Sequence, residues 1–136
     1  MIETTHMALD EFAATYNLDV FTASYIEAML FTEGVDYNLG SVGYDDISDE
    51  LVKRSIRECA EFQRRAGDLI SDRNCVGAAF PAIKYAGHSF WFTRNGHGCG
   101  FWDGDWEESA GKALTALSKQ FGEMEVYLGD DGKVYC

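Results

Sequence analysis

A chain of 136 residues with 46% hydrophobic and 14% aromatic residues carries enough apolar material for one packed domain, and this composition argues against intrinsic disorder. Its net charge of −12 sets up a surface that repels nucleic acid and anionic membranes and attracts basic partners. No apolar run approaches the roughly eighteen residues of a membrane span. Met1 to His6 has neither the basic region nor the hydrophobic run of a signal peptide, so the expectation is a cytoplasmic protein.

The charge is unevenly distributed. Residues 1 to 52 hold eleven carboxylates and no Lys or Arg, because Lys53 is the first basic side chain. Two short helices are expected in this acidic segment. Leu9, Phe12, Ala13 and Tyr16 recur at helical spacing over residues 7 to 16, and Tyr25, Ile26, Met29 and Leu30 do so over 21 to 31. Gly34 can end the second helix, and the glycines, Asn38 and Ser41 predict a loop over residues 35 to 46.

The clearest helix is expected from 46 to 72, with Asp46 as its N-cap. Ile47, Leu51, Ser55, Cys59, Phe62, Ala66, Leu69 and Ile70 form one face. Asp49–Lys53, Glu50–Arg54 and Glu61–Arg65 place acid before base at i,i+4. Pro81 and the nearby glycines predict a connector over residues 73 to 87.

Residues 88 to 94, His-Ser-Phe-Trp-Phe-Thr-Arg, read as a strand. Asn95 to Gly98 read as a turn and Cys99 to Asp103 as the returning strand. A helix follows through Ala110, Leu114, Leu117 and Phe121, ending at Gly122. Residues 125 to 128 and 133 to 135 form a second hairpin around Asp131-Gly132. The expected fold is α+β: a single domain, 1 to 136, whose helical N-terminal half packs on a small antiparallel sheet of β-β-α-β-β order over 88 to 136.

Chemistry-bearing side chains are densest between His88 and Trp106. His97 and Asp103, with Cys99, could hold a metal for a hydrolase. However, a His-x-Cys pair lacks the ligand count, and a polar turn residue explains His97 better. A Cys99–His88 or Cys99–His97 nucleophilic pair requires an activated thiol, whereas the apolar strand context suits an inert one. The four cysteines have no CxxC spacing and are expected as free thiols. Gly96 to Gly100 lacks the Lys-Ser/Thr of a phosphate-binding loop. Asp130-Asp131-Gly132 lacks the further ligands of a calcium loop. No cofactor, metal site or catalytic residue is assigned.

The rings around Arg94 offer a base-stacking platform or a core. Phe90, Phe92 and Phe101 are assigned to the core. Trp91, Trp102 and Arg94 are candidate anchors for a protein partner on the far face of the sheet.

The stretch Gly87 to Asp103, GHSFWFTRNGHGCGFWD, resembles the signature of a family of small bacteriophage proteins with a "DFW-TRNGHGAGFWD" core and a terminal "YxGDDGxxY" hairpin. The hairpin here is Tyr127 to Tyr135, and Tyr44-Asp45-Asp46-Ile47 and the helix through Cys59 are also similar. The resemblance covers roughly residues 25 to 136. The sequence departs from it at Cys99, where the pattern has alanine, and between 73 and 86. It implies a phage origin and the host cytoplasm, and transfers no catalytic residue.

A segment of 52 residues without a single cation is more one-sided than solubility requires. Duplex DNA carries about one negative charge per 1.7 Å of axis, and carboxylates along helices can imitate such a field. The expected function is non-enzymatic: an inhibitor of a host nucleic-acid-handling defence protein, of anti-CRISPR or antirestriction type. It would engage that protein's basic nucleic-acid-binding surface without contacting nucleic acid or membrane itself. Glu27, Glu33, Asp36, Asp45, Asp46, Asp49 and Glu50 are the expected electrostatic contacts. The alternatives are an interaction module using the aromatic hairpin, or a metal-dependent hydrolase near His97 and Asp103.

Overall fold

The computed structural model describes residues 7 to 36, 42 to 77, 81 to 97 and 99 to 136. Five helices dominate it: α1 (Leu9–Tyr16), α2 (Val20–Asp36), α3 (Asp49–Ala66), α4 (Ala82–Arg94) and α5 (Glu108–Gln120). Two-residue strands β1 (Tyr127–Leu128) and β2 (Val134–Tyr135) pair antiparallel, with Tyr127 opposite Tyr135 and Leu128 opposite Val134. The β-β-α-β-β order is therefore overturned. Among the described residues only the second expected hairpin forms, and the molecule is mainly helical.

The error lies at α4. Residues 88 to 94, expected as a strand, belong to a helix that begins directly after Pro81, where the missing N–H breaks no intrahelical bond. Its buried stripe is Ala82, Ala86 and Phe90, with Gly87 and Arg94 beside it. Gly87 explains the packing. A Cβ there would lie 2.3 Å from the Phe21 carbonyl oxygen and 2.8 Å from Ser24 Cβ, both on α2. The missing side chain lets the two backbones meet, and α2 with α4 form the most extensive helix pair. The residues expected as the returning strand form turns, in which Phe101 is buried and Trp102 is exposed.

The remaining elements follow local chemistry. Asn17 ends α1 in a left-handed conformation at φ 54°. Ser48, rather than Asp46, caps α3: its hydroxyl accepts from the Leu51 N–H at 3.2 Å. Asp46 instead closes a 3-10 turn, Tyr44–Asp46, by accepting from the Gly43 N–H at 2.8 Å. α3 stops at Ala66, earlier than expected, because Gly67 adopts a φ of 51° and a 3-10 turn follows. Glu107 caps α5 by accepting from the N–H groups of Ser109 and Ala110, each at 3.0 Å.

The core is aromatic. The Phe62 ring stacks on Phe90 at 4.1 Å, on Phe21 at 5.6 Å and on Phe101 at 5.8 Å, which joins α3 to α2, α4 and the turn before α5. The hairpin is tied to this body where the Ser48 N–H donates to the Val134 carbonyl at 2.9 Å. That bond fixes β2 beside the first turn of α3.

Candidate partner-binding surface

The acidic segment folds around that first turn of α3. Phe12 of α1 stacks on Tyr44 of the 3-10 turn, with centroids 5.2 Å apart. The Tyr16 hydroxyl donates to the Asp49 carboxylate at 2.9 Å, and Lys53 pairs with the same carboxylate at 2.9 Å. These two hydrogen bonds, the Lys53 one the stronger, hold Asp49 below the ordinary carboxylate range. Burial raises the Tyr44 phenol to about 12, and the nearby charge of Glu27 on α2 adds to the shift. On the hairpin side, Tyr135 donates to Asp131 at 2.6 Å. That bond raises the Tyr135 phenol, with partial burial and the charges of Asp131 and Glu50 contributing less. Glu27, Asp45, Asp46, Asp49 and Glu50 thus stand on three elements, α2, the 3-10 turn and the start of α3, around Tyr16 and Tyr44.

Three of these carboxylates also serve the fold, Asp49 through its bond from Tyr16. Asp46 closes its turn, and Glu27 meets His88 Nε2 of α4 at 2.9 Å while remaining 40% exposed. Asp45 and Glu50 are exposed. Glu33 and Asp36 belong to the last turn of α2, and their side chains lie outside the described residues, as do residues 37 to 41 of the expected loop. Of the three expected i,i+4 pairs, Asp49–Lys53 and Glu61–Arg65 form, the latter at 2.7 Å. Arg54 pairs with Glu58 instead, at 2.8 Å.

Two of the expected aromatic-hairpin anchors are internal. Trp91 is fully buried and its indole N–H donates to the Thr32 hydroxyl at 2.8 Å. The Arg94 side chain has no exposed surface and binds Glu58 at 2.6 Å. It also donates to the Tyr25 hydroxyl at 3.0 Å, the Gly122 carbonyl at 2.8 Å and the Phe121 carbonyl at 3.0 Å. One guanidinium therefore ties α2, α3, α4 and the C-terminal carbonyls of α5 together. Trp102 stands apart from those two, at 55% exposure. Phe90 and Phe101 are buried and Phe92 is half-buried against the core, as assigned from the sequence.

The Asp103 carboxylate accepts from the backbone N–H groups of Gly100 at 3.2 Å and Asp105 at 3.4 Å, so it shapes its own turn. The His97 ring lies edge-on to Phe92 at 5.8 Å. Among the described residues, no three His, Cys, Asp or Glu side chains are arranged to hold a metal ion. Partial burial raises the Cys99 thiol and Asp103 raises it further, the opposite of an activated nucleophile. No disulfide joins the described cysteines.

Sequence reasoning missed Glu58 and Tyr44. The i,i+4 spacing of Arg54 and Glu58 was readable, but the pairing with Arg94 spans 36 residues and needs the fold. The chain matches no protein-family model, no curated protein and no solved structure.

Proposed function

We propose that this protein is a non-enzymatic binding protein whose acidic segment occupies the basic nucleic-acid-binding surface of a protein partner. The observation that carries the reading is that Glu27, Asp45, Asp46, Asp49 and Glu50 stand on regular elements tied together through Tyr16, Tyr44 and Ser48. Carboxylates on anchored elements present a fixed field, and a fixed field competes with phosphates better than a mobile tail does. Residues 1 to 52 contain no Lys or Arg, and within this set Asp49 meets Lys53 and Glu27 meets His88 from outside the segment. The resemblance to small phage proteins supports a host defence protein of restriction or CRISPR type as the partner.

Such binding is dominated by charge and weakens as salt shortens the Debye length, which is about 8 Å at physiological ionic strength. The test is capture of partners from bacterial lysate on the immobilised protein, followed by challenge with duplex DNA. Partners eluted by DNA and by moderate salt support the proposal. Partners that bind DNA and this protein together, each with unchanged affinity, contradict it.

A further inference from the structure

The turn before α5 and α5 itself enclose a second surface, remote in character from the acidic segment. Gly111 lets the helix press against this turn, because a Cβ there would lie 2.7 Å from the Phe101 carbonyl oxygen. Beside that contact runs a groove of about 760 Å³. Small-molecule sites occupy roughly 300 to 1,000 Å³ and are mostly apolar with a few placed polar groups. This groove fits that description. Phe101 and Trp106 supply buried rings, and Trp102 forms an exposed aromatic wall.

The polar groups are specific. Lys112, Thr115 and Lys119 follow one another at three- and four-residue spacing, so they share a face of α5 along the groove. In a chain of net charge −12, neither lysine has a carboxylate at ion-pair distance among the described residues. Glu108 is the one acidic side chain lining the groove, at its N-terminal end. Two further groups are left over by the fold. The indole Nε1–H of Trp106, a residue 4% exposed, and the hydroxyl of Thr115 have no hydrogen-bond partner among the described residues. Both atoms are shut off from solvent, so they lie in the groove's supporting layer and not on its open surface.

We propose that this groove binds a small planar aromatic molecule carrying an anionic group. The aromatic plane stacks on Trp102, as bases and other π-systems do on exposed indoles. The anionic substituent lies toward Lys112 and Lys119 and away from Glu108. An aromatic carboxylate and a nucleoside monophosphate share this chemistry, and the test separates them.

The experiment uses the full chain labelled with nitrogen-15 and follows its three indole N–H signals. Adenosine monophosphate and 1-naphthoate are titrated separately, each beside its neutral counterpart, adenosine or 1-naphthalenemethanol. The expected result is saturable movement of the Trp102 and Trp106 signals with one or both anions. The Trp91 signal, whose N–H is held by Thr32, stays in place. The neutral counterpart of the binding anion is expected to bind about tenfold more weakly, a loss of about 1.4 kcal/mol. Exchange of both lysines, Lys112→Ala with Lys119→Ala, is expected to weaken the anion to the level of the neutral compound. Trp102→Ala, at an exposed position that leaves the fold intact, is expected to abolish saturable movement of the Trp106 signal. If neither anion produces saturable movement at millimolar concentration, or if anion and neutral counterpart bind equally, the proposal is wrong. Movement of all three indole signals together would equally overturn it, because that reports unspecific association.

Discussion

Arg94 and Asp49 both sit in ion pairs, but the two pairs do different things. Arg94 is closed off from water and satisfied by Glu58, Tyr25 and two carbonyls of the α5 terminus. Asp49 stands in solvent with Lys53, where screening leaves an isolated pair worth about 0 to 1 kcal/mol. The first arrangement spends its charge on joining four helices. The second leaves most of its charge, with that of Asp45 and Glu50, facing outward. Interior charge here builds the fold, and surface charge faces solvent.

The sharpest way to break that comparison is to remove the interior cation. Arg94→Met leaves the Glu58 carboxylate with Arg54 alone and takes the donor from the Tyr25 hydroxyl and the Phe121 and Gly122 carbonyls. We expect a loss of about 3 to 5 kcal/mol in urea unfolding, the usual cost of breaking a buried pair from one side. Next in size is Gly87→Ala. The new methyl would meet the Phe21 backbone at 2.3 Å, so α2 and α4 must separate. A loss of about 1 to 3 kcal/mol is expected by the same measurement.

The interior pair also has a pH signature. Burial pushes the Glu58 carboxyl up, but hydrogen bonds from Arg54 and Arg94 outweigh it and leave the group below its ordinary 4.5. A carboxyl depressed in the folded state contributes stability that is present above its unfolded pKa and lost as pH falls through its folded one. The stability gap between the native protein and Glu58→Gln should therefore be full at neutral pH and shrink below pH 4.5. Urea melts of both proteins down the pH scale measure it. The smallest stability effect is expected at the surface: Asp45→Asn with Glu50→Gln should shift unfolding by no more than about 0.5 kcal/mol. The same pair of changes should weaken partner capture and flatten its salt dependence.

The surface half of this division was legible in the sequence and the interior half was not, for identifiable causes. The stripes of α1, α2, α3 and α5 announced themselves because large apolar residues recur at helical spacing. The Asp131-Gly132 turn announced its hairpin, although the strands close over two residues each. α4 was hidden because its buried stripe begins with Ala82 and Ala86, while the string from Phe90 to Thr93 is β-prone by composition. Strand preference reflects packing on a pleated surface more than the backbone itself, and packing against α2 through Gly87 overrode it. The same misreading turned Trp91 and Arg94 outward. The concentration of carboxylates was plain from residue order, whereas the contacts of Tyr16, Tyr44 and Ser48 that tie their elements together needed the fold.

The division of labour between interior and surface charge is tested most directly by competition. A partner captured from lysate is loaded with fluorescent duplex DNA, and this protein is added at increasing concentration. Displacement of the DNA by the native protein, at a markedly lower concentration than by the equally stable Asp45→Asn, Glu50→Gln variant, is the predicted result. Undisturbed DNA, or displacement by both proteins at the same concentration, would contradict it.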